Sequence, residues 1–440
     1  MNDLLYKKLE DICLDEKRAI ISGPFGSNIS SKYFVDKGIP VIRGNNLSLS
    51  LDKFYDEGFV YVTKKKADEL NCYAKKLDII FTAAGTIGQV GLITNDTKYD
   101  CYVISNKQIR ARLDPNKIDI LYAYYWFTSP WIQKYLTSNN KGSTVPLLSL
   151  WEVKNLPIIY PKSMSKQKKI SNIIDKISKK IELNNKINDE LEVMAKTVYD
   201  YWFLQFEFPN EEGKPYKSSG GKMVWNEELK REIPEGWEVV NLSSCIKSIN
   251  TGLNPRKNFK LNTGKFKYIT VKNINIDGSI DFNNCDTIDI EALKLIQDRS
   301  KLSKGDILFA SIAPLGRCYL LEETPTDWNI NESVFSIRPN NNISSYLLYY
   351  YLVSDEFIKK ATYSTVGSVF QGIRINTILN MKMLLPKKEI IHCFDSRISS
   401  LTLLKYKRLN ENQELTKLRD FLLPLLMNGQ VGFKEDKAEG

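Results

Sequence analysis

The feature that most constrains this chain is the stretch from Ser165 to Phe208, whose pattern predicts one long amphipathic helix with a single apolar seam. Two polar residues, Lys180 and Asn184, interrupt that seam. A polar residue at a seam position lowers stability but fixes the register and the number of partner helices. We therefore expect the helix to have one particular partner. Heptad spacing places these residues on the seam: Ile170, Ile173, Ile177, Ile187, Leu191, Met194 and Val198.

A second heptad pattern between Phe394 and Leu425 supplies that partner. Arg408 and Glu411 lie at its polar middle, so the two seams suit one another. At about 1.5 Å per residue, each helix would extend roughly 45 to 60 Å, which is more than one globular core needs. Both helices are therefore predicted to be spacers. The seam residues of the second helix are Phe394, Leu401, Leu404, Leu415, Leu418 and Leu422.

The sequence also contains an internal repeat. A Lys-x-Asp-Ile-apolar-Phe motif begins at Lys76 and occurs again at Lys304, and each copy leads through a glycine turn into a second apolar run. Upstream of each motif is a short apolar run that enters a polar turn, and downstream of each is an aromatic-rich amphipathic helix. Each unit is followed directly by one of the two long helices.

This order predicts an α+β fold in which two similar globular domains are separated by two long antiparallel coiled-coil helices with pseudo-twofold symmetry. Residues 210–235 are polar and turn-rich, which is typical of a linker. The predicted segments are a first domain at 1–161, a central helix at 162–208, a linker at 209–235, a second domain at 236–386, a C-terminal helix at 387–430 and a tail at 431–440.

The composition favours a folded chain with a polyanionic partner. The 440 residues are 42% hydrophobic and 11% aromatic, enough for several cores. A net charge of +10 and a pI near 8.9 favour nucleic acid over a membrane surface. No apolar run approaches the roughly 18 residues that span a bilayer, and the N-terminus is too charged for a signal peptide. We therefore expect a cytoplasmic protein.

Motifs for catalysis or metal binding are missing from the sequence. The seven cysteines are widely spaced, and His392 is the single histidine, which argues against a zinc site and histidine-based catalysis. Neither a phosphate-binding loop nor the motifs of an amino-methyltransferase or a nuclease are present. Asp78 and Asp306 precede apolar strands and are predicted to bind local backbone N–H groups. The turn at residues 85–88 is interpreted as a strand connection, with an anion-binding nest as the alternative.

With these features in place, the whole chain resembles the DNA specificity subunit of Type I restriction-modification systems. The resemblance covers roughly Leu4 to Gly432 and rests on the tandem units, their Lys-x-Asp motifs and the two spacer helices. The passage Ile233-Pro234-Glu235-Gly236-Trp237-Glu238 resembles the usual entry into the second recognition domain of that family. The ending from Leu418 to Val431 is similar to the C-terminal signature of the family.

The resemblance implies a subunit of a bacterial or archaeal complex that has no catalytic or metal-binding residues and no cofactor of its own. Such a subunit binds double-stranded DNA at a two-part target and positions two modification subunits, which are adenine methyltransferases that use S-adenosylmethionine. Restriction subunits that depend on ATP and Mg²⁺ join this core. The helix pair would then set the number of unread base pairs between the half-sites.

Candidate DNA contacts are the polar and basic residues in the turns of each unit, because such side chains read base edges or neutralise phosphates. The first unit offers Ser22, Ser27, Asn28, Arg43, Asn45, Asn46, Lys141, Ser143 and Thr144. The second unit offers Arg256, Lys257, Lys272, Asn273, Arg317, Ser368, Gln371 and Arg374.

Two other classes of protein fit parts of the pattern. A non-catalytic coiled-coil adaptor with two protein-binding units is compatible with the repeat and the helices. It differs from a DNA reader in salt dependence, since binding to phosphates weakens steeply as salt rises. A free-standing enzyme is the third class, and transfer of methyl groups by the isolated chain would identify it.

Overall fold

The computed structural model describes residues 4–138, 147–364 and 372–431. The chain divides into two compact units, of which unit 1 comprises Met1–Leu183 with Asn412–Gly440 and unit 2 comprises Asn184–Glu411. Each unit therefore combines a globular domain with part of both long helices. In the ranges described, no helix is long and apolar enough to cross a membrane.

Unit 1 is built from short strands and helices that lead into the first long helix. Its sheets have the strand orders β2-β10-β7-β8, β3-β5-β4-β9-β6 and β1-β11, with β4 and β9 parallel. The elements are β1 (Leu4–Lys8), β2 (Ile20–Ser22), β3 (Phe34–Val35), β4 (Ile39–Ile42), β5 (Val60–Val62), α1 (Lys64–Leu70), β6 (Tyr73–Lys75), β7 (Ile79–Thr82), β8 (Val90–Leu92), β9 (Cys101–Ile104), β10 (Gln108–Ala111), α2 (Ile120–Phe127), α3 (Pro130–Ser138), α4 (Leu150–Lys154), β11 (Pro157–Pro161) and α5 (Met164–Tyr199).

Unit 2 repeats this order after a short π-helix at Asp200–Leu204. Its sheets are β15-β21-β18-β19, β17-β16-β20, β12-β13 and β14-β22, with β16 and β20 parallel. The elements are β12 (Met223–Asn226), β13 (Arg231–Pro234), β14 (Glu238–Asn241), β15 (Ile246–Thr251), β16 (Phe266–Ile269), β17 (Asp286–Ile288), α6 (Ile290–Ser300), β18 (Ile307–Ala310), β19 (Cys318–Leu320), β20 (Trp328–Ile330), β21 (Val334–Pro339), α7 (Ser345–Leu352), α8 (Asp355–Tyr363), α9 (Ile375–Leu379), β22 (Lys382–Leu385) and α10 (Lys388–Met427).

The predicted α+β repeat is confirmed. The strands of the two Lys-x-Asp motifs, β7 and β18, hold the third position in equivalent four-stranded sheets. The upstream apolar runs form β4 and β16. In unit 1 β4 pairs in parallel with β9, and in unit 2 β16 pairs in parallel with β20. Each of these partners directly precedes, in the sequence, the last strand of its unit's four-stranded sheet. All residues of β7 and β18 are buried, which explains why these segments are apolar without alternation.

The two aromatic helices, α2 and α7, form the centre of each core. Seven of the eight residues of α2 are buried, and the Asp119 side chain caps its N-terminus. Ser344 caps α7 in the same way. Buried polar tips find backbone partners, since Trp126 Nε1 donates to Pro157 O at 2.8 Å and Tyr351 Oη donates to a carbonyl of β22 at 2.9 Å. Each aromatic helix is thereby joined to the strand that precedes a long helix.

Asp78 and Asp306 are turn residues, as predicted, but each also holds a buried arginine contact that the sequence did not indicate. Each carboxylate accepts a hydrogen bond from the backbone N–H three residues earlier, at 2.8 and 2.9 Å. Arg112 binds Asp78 through two nitrogens at 2.8 and 2.9 Å, and Arg338 binds Asp306 at 2.6 and 2.7 Å. Hydrogen bonds to Asp306 raise the pKa of Arg338 above its usual value. These bidentate pairs tie the turn before each motif strand to the end of the neighbouring strand.

Burial along the two long helices departs from the predicted seam at three residues, since Met194, Leu404 and Leu418 are exposed. The residue after each of them is more buried, so that Ala195, Lys405 and Arg419 lie in the seam, together with Ile174, Asn188, Ile398 and Asn412. The other predicted seam residues are buried (Ile170, Leu191 and Phe394) or partly buried (Ile173, Ile177, Ile187, Val198, Leu401, Leu415 and Leu422).

The prediction failed at these residues because, in several pairs of adjacent residues, the less apolar one lies in the seam. Ala195 is 1% exposed whereas Met194 is 54% exposed, because a short side chain allows two helix backbones to approach closely. The Lys405 side chain is only 11% exposed, since its ammonium group binds Glu192 Oε2 at 2.9 Å. An apolar heptad count cannot recognise a buried lysine that has an ionic partner.

The predicted polar middle of the seam is confirmed. Asn184 is buried, its Nδ2 donates to Glu411 Oε2 at 2.8 Å, and its Oδ1 accepts from Arg408 Nη1 at 2.9 Å. Further along unit 2, Tyr199 packs against Phe394. The two helices therefore run antiparallel within this unit.

The stretch at 209–235, predicted to be a linker, forms a hairpin of β12 and β13. Ile233 of this hairpin is buried in the core of unit 2, where Phe208 and Trp237 stack at 5.1 Å. The segment is thus a structured part of unit 2, because most of its apolar residues, Trp225 excepted, pack against one core. The predicted tail at 431–440 lies beyond the described residues apart from Val431.

Removing the buried carboxylate at residue 306 should destabilise unit 2. We expect Asp306→Asn to lower the free energy of unfolding by about 3 kcal/mol, because Arg338 keeps its charge while losing its ionic partner. Urea denaturation measures the change. The control Asp298→Asn, at an exposed position of α6, should alter stability by less than about 0.5 kcal/mol. Equal effects of the two variants would contradict a structural role for the ion pair.

The observed seam register makes opposite predictions for two neighbouring residues. Ala195→Glu would bury a charge between the helices and should cost more than about 3 kcal/mol, whereas Met194→Glu on the isolated chain should change stability by less than about 0.5 kcal/mol. Thermal unfolding of both variants tests this. A larger loss of stability for Met194→Glu than for Ala195→Glu would support the register predicted from the sequence.

Candidate nucleic-acid interface

One end of unit 1 carries a polar cleft of about 560 Å³. Three turns form it: the turn after β4, the turn between β7 and β8, and the turn between β9 and β10. We call it the unit 1 cleft. Its polar side chains include Arg43, Asn45, Thr86, Gln89, Asn106 and Lys107.

Backbone and side-chain hydrogen bonds hold the three turns together. Ser105 N donates to Ile42 O at 3.0 Å, which continues the parallel pairing of β4 and β9 into the turns. Ala83 N donates to the carbonyl of Lys107 at 2.7 Å. Gln89 Nε2 then donates to the carbonyls of Gly44 and Leu47 at 3.1 and 3.0 Å. The cleft is therefore formed by the fold itself and needs no ligand to bring its walls together.

Arg43 and Asn45, two of the predicted contacts, line this cleft. Arg43 Nη2 and Asn45 Nδ2 both donate to the carbonyl of Gly58, at 3.3 and 3.1 Å. A guanidinium has five N–H donors, so this anchoring leaves Arg43 with donors for a ligand. Both side chains are thus positioned at the cleft before any ligand binds.

The remaining predicted contacts of unit 1 have three different outcomes. Ser22, Ser27 and Asn28 are exposed at the end of β2 and in the loop that follows it. Asn46 is fully buried: its Nδ2 donates to two carbonyls of the 55–57 loop at 3.0 and 2.8 Å, and its Oδ1 accepts from Arg43 N. Its prediction as a DNA contact is wrong, because these bonds use its amide within the turn. Three further predictions lie outside the described residues: Lys141, Ser143 and Thr144.

Unit 2 brings together the three equivalent turns. Asn331 N donates to Ile269 O at 2.8 Å, and Ser311 N donates to Ser333 O at 3.0 Å. Arg317 Nη1 donates to Val271 O at 3.2 Å, so this predicted contact is anchored in the turn cluster. We call residues 270–273, 311–317 and 331–333 the unit 2 turn cluster.

The other predicted contacts of unit 2 are mostly on its surface. Lys272 is exposed in the turn cluster, Arg256 and Lys257 are exposed in the loop after β15, and Arg374 is exposed at the start of α9. Asn273 is buried and repeats the role of Asn46, since its Oδ1 accepts from Thr270 N at 2.9 Å. Its prediction as a DNA contact is likewise wrong. Ser368 and Gln371 lie outside the part of the chain that the structure describes.

Sequence reasoning missed Thr86, Asn106 and Lys107 in unit 1. Lys107 and Asn106 belong to a polar triplet between two apolar strands, and the repeat places Asn331, Glu332 and Ser333 at the same point of unit 2. That correspondence was the available signal. Glu332 stands where unit 1 has Asn106, and its Oε1 accepts from Asn254 Nδ2 at 2.6 Å. The equivalent positions therefore present a carboxylate in unit 2 and an amide in unit 1.

Lysine side chains join loops next to the unit 1 cleft and the unit 2 turn cluster to the helix segments of their own units. The loop after the Arg43 turn carries Lys53, whose Nζ lies 2.5 Å from Asp175 Oδ1 on α5. Burial raises the pKa of Asp175, but hydrogen bonds from Lys53, Lys179 and Tyr125 outweigh it and hold the pKa below its usual value. In unit 2, Lys405 on α10 donates to the carbonyl of Asp277 at 2.5 Å.

The arrangement offers contacts for an anionic ligand. Within the described ranges, no group of three or more His, Cys, Asp or Glu side chains could hold a metal ion. Burial raises the pKa of Cys13 to about 12 and that of Cys72 to about 11, so these thiols stay protonated near neutral pH. What the turns provide is a set of amide, hydroxyl and cationic donors, the groups that bind base edges and phosphates.

Comparison with known proteins agrees with the fold. The chain is 26% identical over 448 residues to the Type I restriction enzyme MjaIX specificity subunit of Methanocaldococcus jannaschii, covering 98% of this chain and 94% of that protein. It is 23% identical to the Type I restriction enzyme HindI specificity subunit of Haemophilus influenzae, covering 81% and 87% of the two chains. The crystal structure of the Type I restriction-modification S subunit from M. genitalium has a similar fold, with a TM-score of 0.57, 16% identity and coverage of 97% and 96%.

A family model described as "Type I restriction modification DNA specificity domain" matches this chain twice, at residues 1–193 and 234–414. The two matches fall on the two repeats that the structure displays, and together they span most of the chain. The chain therefore belongs to the family of Type I restriction-modification DNA specificity subunits.

Proposed function

We propose that this chain binds a bipartite DNA sequence through the unit 1 cleft and the unit 2 turn cluster, together the two turn clusters, and positions modification subunits on it. The single observation that carries the proposal is the repetition of one turn cluster with different side chains, such as Asn106 in unit 1 and Glu332 in unit 2. Two clusters with the same architecture can bind the same kind of ligand, while different side chains select different bases.

The chemistry of the side chains fits base and phosphate recognition. Arginine can donate to O6 and N7 of guanine, asparagine pairs with adenine, and glutamate accepts from the amino group of cytosine. In this proposal Arg43 and Asn106 contact base edges in unit 1, Lys107 contacts a phosphate, and Arg317 and Glu332 contact base edges in unit 2. The long helices keep the number of unread base pairs between the half-sites constant.

The chemistry of modification would come from partner subunits. In the proposed complex two adenine methyltransferase subunits bind S-adenosylmethionine, and restriction subunits use ATP and Mg²⁺. This chain would bind none of these cofactors. The match to a DNA specificity domain supports this division of roles.

A surface beside the helix seam supports binding of a modification subunit. Met194 is 54% exposed and Leu404 is 40% exposed, and each lies one residue before a seam position of its helix in unit 2. Ile187, at the corresponding earlier position of α5, is only partly buried. We call these three residues the helix flank. Apolar residues that repeat with helical spacing beside a closed seam provide a site for a further helix, and we assign it to a modification subunit.

Mapping methylation tests the proposed function directly. The chain is co-expressed with its methyltransferase, and N6-methyladenine is located across the genome. A two-part motif with a constant gap is expected, and inserting one heptad into both long helices should lengthen that gap. Methylation without a common motif, or methyl transfer by the chain alone, would refute the proposal.

Arg43→Ala in the assembled methyltransferase should weaken binding to the mapped target by about 1–3 kcal/mol, since one arginine contact to a base or phosphate is lost. The slope of log K against log salt should fall by about 1 if the lost contact is to a phosphate and should stay unchanged if it is to a guanine. The control Lys65→Ala, at an exposed position on α1, should change neither quantity. Affinity for the target is measured by fluorescence anisotropy at several salt concentrations.

Met194→Glu should prevent assembly with the modification subunit because it places a charge in an apolar helix contact. The matched control is Val193→Glu, an exposed position of α5 that lies about 100° around the helix from Met194. Size-exclusion chromatography of the co-expressed subunits should show loss of the complex for the first variant only. Normal assembly of the Met194 variant would exclude the helix flank as the contact.

A further inference from the structure

We propose that Phe25 is an apolar base contact of unit 1, with its phenyl ring stacked on a base of the half-site that this unit binds. The inference rests on the proposed function, because it assigns one contact within the DNA complex. It concerns a residue that is neither polar nor basic and that no pattern of charged turn residues indicates.

The first observation is that the ring has no structural role within the described residues. Phe25 is 85% exposed, belongs to none of the hydrophobic clusters, and makes no aromatic contact there. Single exposed hydrophobic residues are common on protein surfaces, so exposure alone does not identify a contact. Two further features point to a contact: the loop that carries Phe25 is held by hydrogen bonds, and it lies beside the unit 1 cleft.

The loop that carries Phe25 is braced on both sides. A Cβ atom at Gly23 would lie 1.8 Å from Ser105 O, so only glycine allows the loop to pack against the β9–β10 turn. Gly23 N donates to Gln108 O at 2.9 Å, and Asn28 N donates to Phe25 O at 2.9 Å. Pro24 adds a fixed φ angle. A loop braced in this way loses little backbone entropy on binding, which favours its use as a contact.

The loop lies beside the unit 1 cleft. A Cβ atom at Gly26 would be 3.1 Å from Nδ2 of Asn106, and Asn106 lines the cleft together with Arg43 and Lys107. An exposed aromatic ring next to cationic and amide donors is the combination with which proteins stack on bases while they neutralise phosphates. A protein partner would not need this mixture of donors around the ring.

Unit 2 shows that the loop does not require an exposed ring. Gly252 packs in the same manner, since a Cβ atom there would lie 1.7 Å from Ile330 O. The residue that follows, Leu253, packs against the core that includes Tyr268, whose Oη donates to Leu253 O at 2.5 Å. Two residues after the glycine, where unit 1 has Phe25, unit 2 has Asn254, whose Nδ2 donates to Glu332 Oε1 at 2.6 Å. The aromatic contact is assigned to unit 1 alone.

The test uses the assembled methyltransferase and duplexes that carry the mapped target. Adenines or neighbouring bases are replaced one at a time by 2-aminopurine, and the methylated adenine itself is left unchanged. Wild-type complex should alter the fluorescence at one position of a single half-site, and Phe25→Ala should abolish that change. Phe25→Ala should also weaken target binding about 5- to 150-fold, while Phe25→Trp should bind within about threefold of the wild type.

The controls separate this inference from the proposed function. Because phenylalanine has no charge, Phe25→Ala should leave the slope of log K against log salt unchanged. Tyr6→Ala, at a residue of β1 that is 72% exposed and does not line the cleft, should bind normally. If wild-type complex fails to bind the target selectively, the proposed function is wrong. If the wild type binds and Phe25→Ala binds equally well, or loses its methyltransferase partner, only the assignment of Phe25 is overturned.

Discussion

The structure depends on one constraint: neither globular domain closes its core without the long helices. In unit 1 the core includes Ile170 and Ile174 from α5 and Leu426 from α10. In unit 2 the ring of Phe394 lies 4.9 Å from Phe203 and packs at the centre of the cluster. Burial of each such side chain contributes about 1.5–3 kcal/mol, so the helices are part of the folded domains and not tethers between them.

The sequence predicted the fold wherever a pattern was carried by many residues at once. The duplicated strand motifs and the apolar seams reveal themselves by periodicity, and both units and both helices follow from them. Individual seam positions were less predictable, because burial depends on the partner. Ala195 enters the seam because its short side chain allows close packing, and Lys405 enters it because Glu192 provides an ionic partner. No single-helix pattern contains that information.

The candidate site was predictable in outline and not in detail. The polar turns after β4 and β16 were recognised. The side-chain amides of Asn46 and Asn273, however, donate to backbone carbonyls of neighbouring loops. A polar residue in a turn can face solvent or its own backbone, and sequence alone does not distinguish the two. Asn106 joins the cleft because β4 pairs in parallel with β9, and Thr86 joins it because β7 pairs with β10. No local motif encodes either of these long-range contacts.

In both units a hydrogen bond joins the residue that caps the aromatic helix to a long helix, but the carboxylate and the hydroxyl are exchanged between the units. In unit 1 the carboxylate of Asp119 caps α2 and accepts from Ser171 on α5 at 2.8 Å; in unit 2 the hydroxyl of Ser344 caps α7 and donates to Asp395 on α10 at 2.7 Å. Each exchange preserves a hydrogen bond between the aromatic helix and a long helix. Lys53 and Lys405 also join loops beside the unit 1 cleft and the unit 2 turn cluster to a long helix of the same unit. In the proposed DNA complex, side chains held by such contacts would meet the bases in one arrangement, which favours discrimination between sequences.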